Sequence, residues 1–181
     1  MNIDGSDPKQ LTGGSRNTLP CLSPDGKWVV YQGFVAGRQT ALKVSIDGGG
    51  AVGLTDKFAA SPVVSPDGKL VACFLWDEQA EAKRALALLS IEGSPPVKTF
   101  DIPPTASELL WLPDGSALTY VVTRGGVSNI WRQPVDGGPP APLTGFKSER
   151  IFHYDWSRDG RQLACTRGII TTDAVLISDF R

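Results

Sequence analysis

The sequence predicts an all-β fold: a β-propeller of four-stranded antiparallel blades, with four blades in the chain. Three observations carry this reading. A phrase recurs as Ser23-Pro24-Asp25-Gly26, Ser65-Pro66-Asp67-Gly68, Leu112-Pro113-Asp114-Gly115 and Ser157-Arg158-Asp159-Gly160. Its starts at 23, 65, 112 and 157 lie 42, 47 and 45 residues apart, a period typical of propellers and solenoids. Short alternating runs flank every copy, and 20 Gly and 14 Pro punctuate them.

Each Asp-Gly joins two apolar runs, since Gly supplies the positive φ that a tight hairpin needs. Asp25, Gly26, Asp67, Gly68, Asp114, Gly115, Asp159 and Gly160 are therefore read as turn formers. "TLPCL", "SPVV", "ELLW" and "HYDW" precede the turns as first strands. Second strands follow, and five residues after the Gly stand Tyr31, Cys73, Tyr120 and Cys165. Two cysteines thus share a core position with tyrosines, which argues for packing rather than redox chemistry. Third strands follow as "TALKVSI", "ALALLSI", "NIWRQPV" and "DAVLIS", and short fourth strands as "VGLT", "VKTF" and "APLT". Four antiparallel strands per repeat make one blade. Trp111 and Trp156 precede their turns where Leu22 and Val64 stand in the other repeats, and the two tryptophans are read as core.

The ends of the chain extend the pattern. Asp4-Gly5 and Leu11-Thr12 match Asp47-Gly48 and Leu54-Thr55, so residues 1–12 read as a turn plus a fourth strand without its own blade. The last repeat stops at "DAVLISDFR", short of a fourth strand. Blades are expected at about 13–55, 56–100, 101–144 and 145–181 plus 1–12. The opening strand is expected beside Ala174–Ser178, in a closed four-bladed ring, in a strand-exchanged homodimer with eight blades, or in the C-terminal portion of a longer protein. The homodimer is preferred, because four wide blades must bend sharply to close.

The totals exclude several classes. Eighteen basic and 19 acidic side chains leave a net charge of −1, so nothing points to nucleic acid or an anionic membrane surface. No apolar run reaches the roughly 18–20 residues of a membrane helix. Cys21, Cys73, Cys165 and the single His153 do not fall into zinc-ligand spacing, and no cofactor or metal is expected. Gly48 to Gly53 mimics a dinucleotide fingerprint, but it falls on an inter-strand turn with a strand after it. Asp residues spaced one per repeat do not supply the six to eight oxygens of a calcium loop.

The combination Ser-Pro-Asp-Gly with Asp-Gly-Gly…Leu-Thr resembles the WD40-like (PD40) repeats of the TolB propeller family across essentially the whole chain. The tail "WSRDGRQLACTRGIITTDAVLISDFR" resembles propellers fused C-terminally to bacterial serine/threonine protein kinases. The resemblance implies a non-catalytic sensor or interaction module of a larger bacterial protein, in an extracytoplasmic setting. Its repeat Asp and Gly residues carry over as turn formers.

Topology then locates a candidate binding face. The Asp-Gly turns lie at one end of the blades, while the second-to-third loops and blade connections lie at the other. That end collects Arg38, Trp76, Arg84, Arg124, Arg150, His153 and Arg167, with Arg124 and Arg167 read as matching second-strand ends. Arg and aromatics are enriched at interface hot spots. A protein or peptide partner is expected, acidic or extended in character. Two rival readings stand: a hydrolase or lyase using acids in the central channel, for which first strands offer Glu108 and Asp155, and a purely self-assembling structural unit.

Overall fold

The computed structural model describes residues 4–13, 16–77, 83–93 and 95–173. Strands β1 (Thr18–Leu22), β2 (Trp28–Val35), β3 (Arg38–Ser45) and β4 (Val52–Gly53) form sheet I in that order. Sheet II orders β5 (Phe58–Val64), β6 (Leu70–Asp77), β7 (Lys83–Ser90) and β8 (Lys98–Asp101) alike. Sheet III holds β9 (Ala106–Trp111), β10 (Ala117–Arg124), β11 (Val127–Pro134) and β12 (Ala141–Pro142). Strands β13 (Arg150–Trp156) and β14 (Leu163–Gly168) pair as sheet IV. All pairings are antiparallel, and no helix occurs among the described residues.

The turns form because their hydrogen bonds are local. Ser23 Oγ donates to Asp25 Oδ1 at 2.5 Å, and the same oxygen accepts the Lys27 amide at 3.1 Å. The Trp28 amide closes back onto Ser23 Oγ at 2.9 Å. The Ser65–Asp67 and Ser157–Asp159 turns repeat this set. In the third turn, where Leu112 replaces Ser, Asp114 Oδ1 accepts the Ser116 amide at 2.9 Å. Gly26, Gly68, Gly115 and Gly160 all have positive φ, between 68° and 74°.

The sheets stack like leaves of a book, with apolar side chains between each pair. Val30, Ala41 and Leu54 of sheet I pack on Ala59, Val71, Cys73 and Leu89 of sheet II. Ala72, Phe74, Leu86 and Leu88 face Leu109, Trp111, Leu118 and Tyr120 of sheet III. Val121 and Ile130 face Ile151 and Tyr154 of sheet IV. Each buried Leu, Ile or Val contributes about 1.5–3 kcal/mol. The turns lie close together too: Pro24, Pro66 and Pro113 stand within 4 Å of where a Cβ would lie on Gly68, Gly115 and Gly160. Burial raises the Cys73 thiol to about 12, so this sulfur is inert filling.

Gly48 and Gly49 lie in a left-handed turn and β4 follows, so the fingerprint mimic is a β3–β4 connection. Residues 4–12 adopt no strand, which corrects the expected fourth strand there. A strand needs a hydrogen-bonded neighbour, and the expected one, Ala174–Ser178, lies outside the described residues. The segment still occupies a fourth strand's seat. Lys9 Nζ donates to Ile46 O at 2.9 Å, as Lys98 Nζ donates to Val135 O at 2.9 Å in sheet III. Leu11 packs on Tyr31, Leu42 and Val44, as Leu54 packs on the corresponding Cys73, Ala87 and Leu89. Leu22, at the position held by Trp111 and Trp156 in later sheets, is 58 % exposed, because among the described residues no sheet covers that side of β1.

Candidate protein-interaction face

The innermost strands β1, β5, β9 and β13 are successive neighbours and define the axis. Their register slips between Thr18 and Cys21, Ala60 and Val63, Ser107 and Leu110, and Ile151 and His153. Leu19, Ser61 and Glu108 take positive φ at these slips, at 53°, 53° and 49°. Such bulges bend a strand and re-aim a side chain. At the third, Glu108 Oε2 meets His153 Nδ1 of the next sheet at 3.1 Å, with both side chains substantially exposed. Beneath them, Tyr154 Oη donates within the reach of Glu108 O and Thr119 Oγ1, at 3.0 and 2.9 Å. Trp156 Nε1 donates to the same Thr119 hydroxyl at 3.1 Å. Tyr154 is buried, and desolvation raises its pKa well above the usual phenol value.

The seven residues of the sequence-derived face divide into two sets. Arg84 lies 3.8 Å over Phe74 and 4.8 Å over Trp76, and donates to the carbonyls of Pro104 and Ala106. Trp76 stands edge-on to Phe58 at 4.9 Å. Arg167 lies 3.6 Å over Phe146, donates to Ser148 O at 2.7 Å and pairs with Glu149 at 3.3 Å. Arg38 donates to Asp56 O at 2.8 Å. These arginines stitch the loops that join successive sheets. Arg124, Arg150 and His153 make no such link between loops and are exposed, as Arg38 also is. Arg124 and Arg167 are not at matching positions: Arg167 pairs with Ile151 where Val122 pairs with Ala106, two residues before Arg124. The shared Thr-Arg-Gly spelling is offset from the strand register, which the count from the Asp-Gly turn reveals.

The β10–β11 hairpin tip, Arg124-Gly125-Gly126-Val127, projects between two open clefts. One, of about 500 Å³, is lined by the glycines, Glu149, Arg150, Gly168, Ile169 and Ile170. The other, of about 320 Å³, is lined by Arg124, Asn129, Trp131, Pro142, Phe146 and Lys147. Ile169 and Ile170 are 77 % and 59 % exposed. Arg124 lies 5.5 Å over Trp131, so its charge sits on an aromatic surface. Asn129 is held by Thr144 Oγ1 and by the Phe146 amide. The exposed Ile pair was not singled out from sequence, and Glu108 was read there only as a channel acid, because its bulge and its contact with His153 depend on register between sheets. No three His, Cys, Asp or Glu side chains converge on a metal-sized site among the described residues.

No family model matches the chain. It superposes on the structure of a putative TolB from Agrobacterium tumefaciens with a TM-score of 0.68 and 26 % identity, over 83 % of this chain and 53 % of that one. This chain has a TolB-like β-propeller fold. The TolB-like propeller is 32 % identical to the uncharacterized peptidase YuxL of Bacillus subtilis over 83 % of its own length and 23 % of YuxL. It also superposes on the acylaminoacyl peptidase of Pyrococcus horikoshii with a TM-score of 0.58 and 14 % identity, over 81 % of this chain and 27 % of that one, which is a likeness of fold. The propeller chain spans less than half the length of the curated relatives it matches.

Proposed function

We propose that this TolB-like propeller is a non-catalytic protein-recognition module, and that the Arg124–Val127 hairpin grips an extended acidic peptide. The observation that carries this reading is the pair of clefts that meet at this hairpin. Arg124, Lys147 and Arg150 supply positive charge around it, and Gly125, Gly126 and Gly168 leave backbone accessible to a peptide chain. Ile169, Ile170 and Trp131 offer apolar seats for alternate side chains. Pockets for side chains beside open backbone are the usual elements of extended-peptide recognition. The span relative to the matched proteins fits one module of a larger protein, with sensing or scaffolding as its contribution.

Amide NMR titration tests the proposal with an acidic and a basic peptide of equal length. Selective shifts at Gly125, Gly126 and Gly168 with the acidic peptide are expected, and Arg150→Glu should weaken them about tenfold or more. Equal response to both peptides would remove the reading.

The second reading is catalytic. The likeness to the uncharacterized peptidase YuxL and the Glu108–His153 pair favour it. Turnover of a blocked peptide substrate that vanishes in Glu108→Gln would support it over recognition alone.

A further inference from the structure

The chain contains seven Asp-Gly pairs, beginning at residues 4, 25, 47, 67, 114, 136 and 159. In six of them the aspartate is tied down in the same way: one carboxylate oxygen accepts the amide two residues on. Asp4, Asp25, Asp67, Asp114, Asp136 and Asp159 accept from Ser6, Lys27, Lys69, Ser116, Gly138 and Arg161, at 2.9 to 3.1 Å. Asp47 is the exception. Its own amide donates to Ser45 Oγ at 3.1 Å, but its carboxylate is exposed and accepts no hydrogen bond among the described residues.

The difference follows from what comes after the turn. Between β3 and β4 the chain reads Asp47-Gly48-Gly49-Gly50, and the equivalent turn of sheet III reads Asp136-Gly137-Gly138-Pro139. A proline restricts the residue before it to extended backbone. Gly138 obeys this limit and donates its amide to Asp136. Gly50 imposes no such limit, and Gly49 takes a φ of +110°. Gln133 Nε2 also donates to the Gly138 carbonyl at 2.9 Å, whereas sheet I has Val44 at the matching register position.

We propose that Asp47-Gly48 is a modification site, where the chain forms isoaspartate without an enzyme. The Gly48 amide nitrogen attacks Cγ of the protonated Asp47 carboxyl. A C–N bond forms, a C–O bond breaks, and one water leaves with the amide hydrogen and the carboxyl hydroxyl. A second water then opens the succinimide at the main-chain carbonyl, so the backbone runs through the Asp47 side chain and its α-carboxylate becomes free. Attack requires Cγ to swing onto the next amide. A carboxylate pinned two residues on must first give up its bond, and Asp47 has none to give up. Glycine offers no Cβ to hinder the approach. The Gly48 amide donates to Ser45 O at 3.0 Å, but Gly26, Gly68, Gly115, Gly137 and Gly160 donate three residues back as well, so the carboxylate is what sets this turn apart. The product keeps its charge and gains one main-chain atom just ahead of β4 and of Leu54, which is fully buried against sheet II.

The test is to age the whole chain in warm neutral buffer and to locate isoaspartate by fragmentation mass spectrometry of its tryptic peptides. Isoaspartate at 47 is expected to accumulate about fivefold faster than at any other pair, the ratio that one net hydrogen bond sets. Gly50→Pro gives sheet I the turn sequence of sheet III and is expected to slow the reaction at 47. Pro139→Gly makes the opposite exchange and is expected to speed it at 136. Isoaspartate that is absent at 47, spread evenly over the seven pairs, or earliest at a pinned aspartate overturns the proposal. So do unchanged rates at 47 and 136 in the two variants.

Discussion

Pro24 Cδ lies 3.5 Å from the position a Cβ would occupy on Gly68, and it belongs to the turn one sheet earlier. The same Pro-on-Gly contact joins Pro66 to Gly115 and Pro113 to Gly160. The repeated phrase therefore has two uses: each copy folds its own hairpin, and it also sets the distance to the next.

Gly68 has a φ of +74°, where a Cβ crowds the backbone. Gly68→Ala is expected to lower stability by about 1–2 kcal/mol, read from urea unfolding. Gly68→Asn should lose less, since Asn tolerates the left-handed region. Equal losses for both would show that the contact with Pro24, rather than the dihedral, sets the cost.

The turn aspartates predict acid sensitivity. Asp25, Asp67 and Asp159 accept a Ser hydroxyl and then a backbone amide, which holds each below the ordinary carboxyl value of 3.8. Asp114 is lowered chiefly by the Ser116 amide. A folded pKa below the unfolded one stabilises the protein fully above 3.8 and loses that effect as pH falls through the folded value. The melting temperature should thus fall steeply below about pH 4, and Asp67→Asn should flatten that fall. An unaltered acid slope in the variant would contradict this assignment.

Thr119 Oγ1 serves two donors from sheet IV, Tyr154 Oη and Trp156 Nε1. Thr119→Val keeps the shape and removes the acceptor. A loss of about 1–3 kcal/mol is expected, since buried donors lose their partner. Tyr154→Phe in the Thr119→Val background should recover part of it, which a double-mutant cycle measures.

Arg84 and Arg150 look alike in the sequence and should behave differently. Arg84 is half-buried on Phe74 and Trp76, and burial lowers its pKa. Arg84→Ala is expected to cost about 2–3 kcal/mol in stability, through lost packing and charge-assisted bonds to the 104–106 loop. Arg150→Ala, at an exposed site, should stay within about 0.5 kcal/mol. Thermal unfolding of both variants compares them directly.

The hairpins and their order were legible in the sequence because their causes are local. Ser23, Asp25, Gly26 and Trp28 complete the turn's hydrogen bonds within six consecutive residues, and the period carries that unit along the chain. The site was legible only in outline. Loop position placed Arg84, Arg124, Arg150 and Arg167 at one end, but not which of them face solvent.

That distinction is tertiary. Arg84 finds the carbonyl of Ala106, 22 residues on, and Arg167 finds that of Ser148, 19 residues back. Glu108 meets His153 across 45 residues only because bulges offset the inner strands. The amino-acid order by itself determined the repeated strand–turn unit, since bonds between near neighbours stabilise it. The three-dimensional packing decided which charges became stitches between sheets and which stayed exposed, because that depends on distances no local pattern encodes.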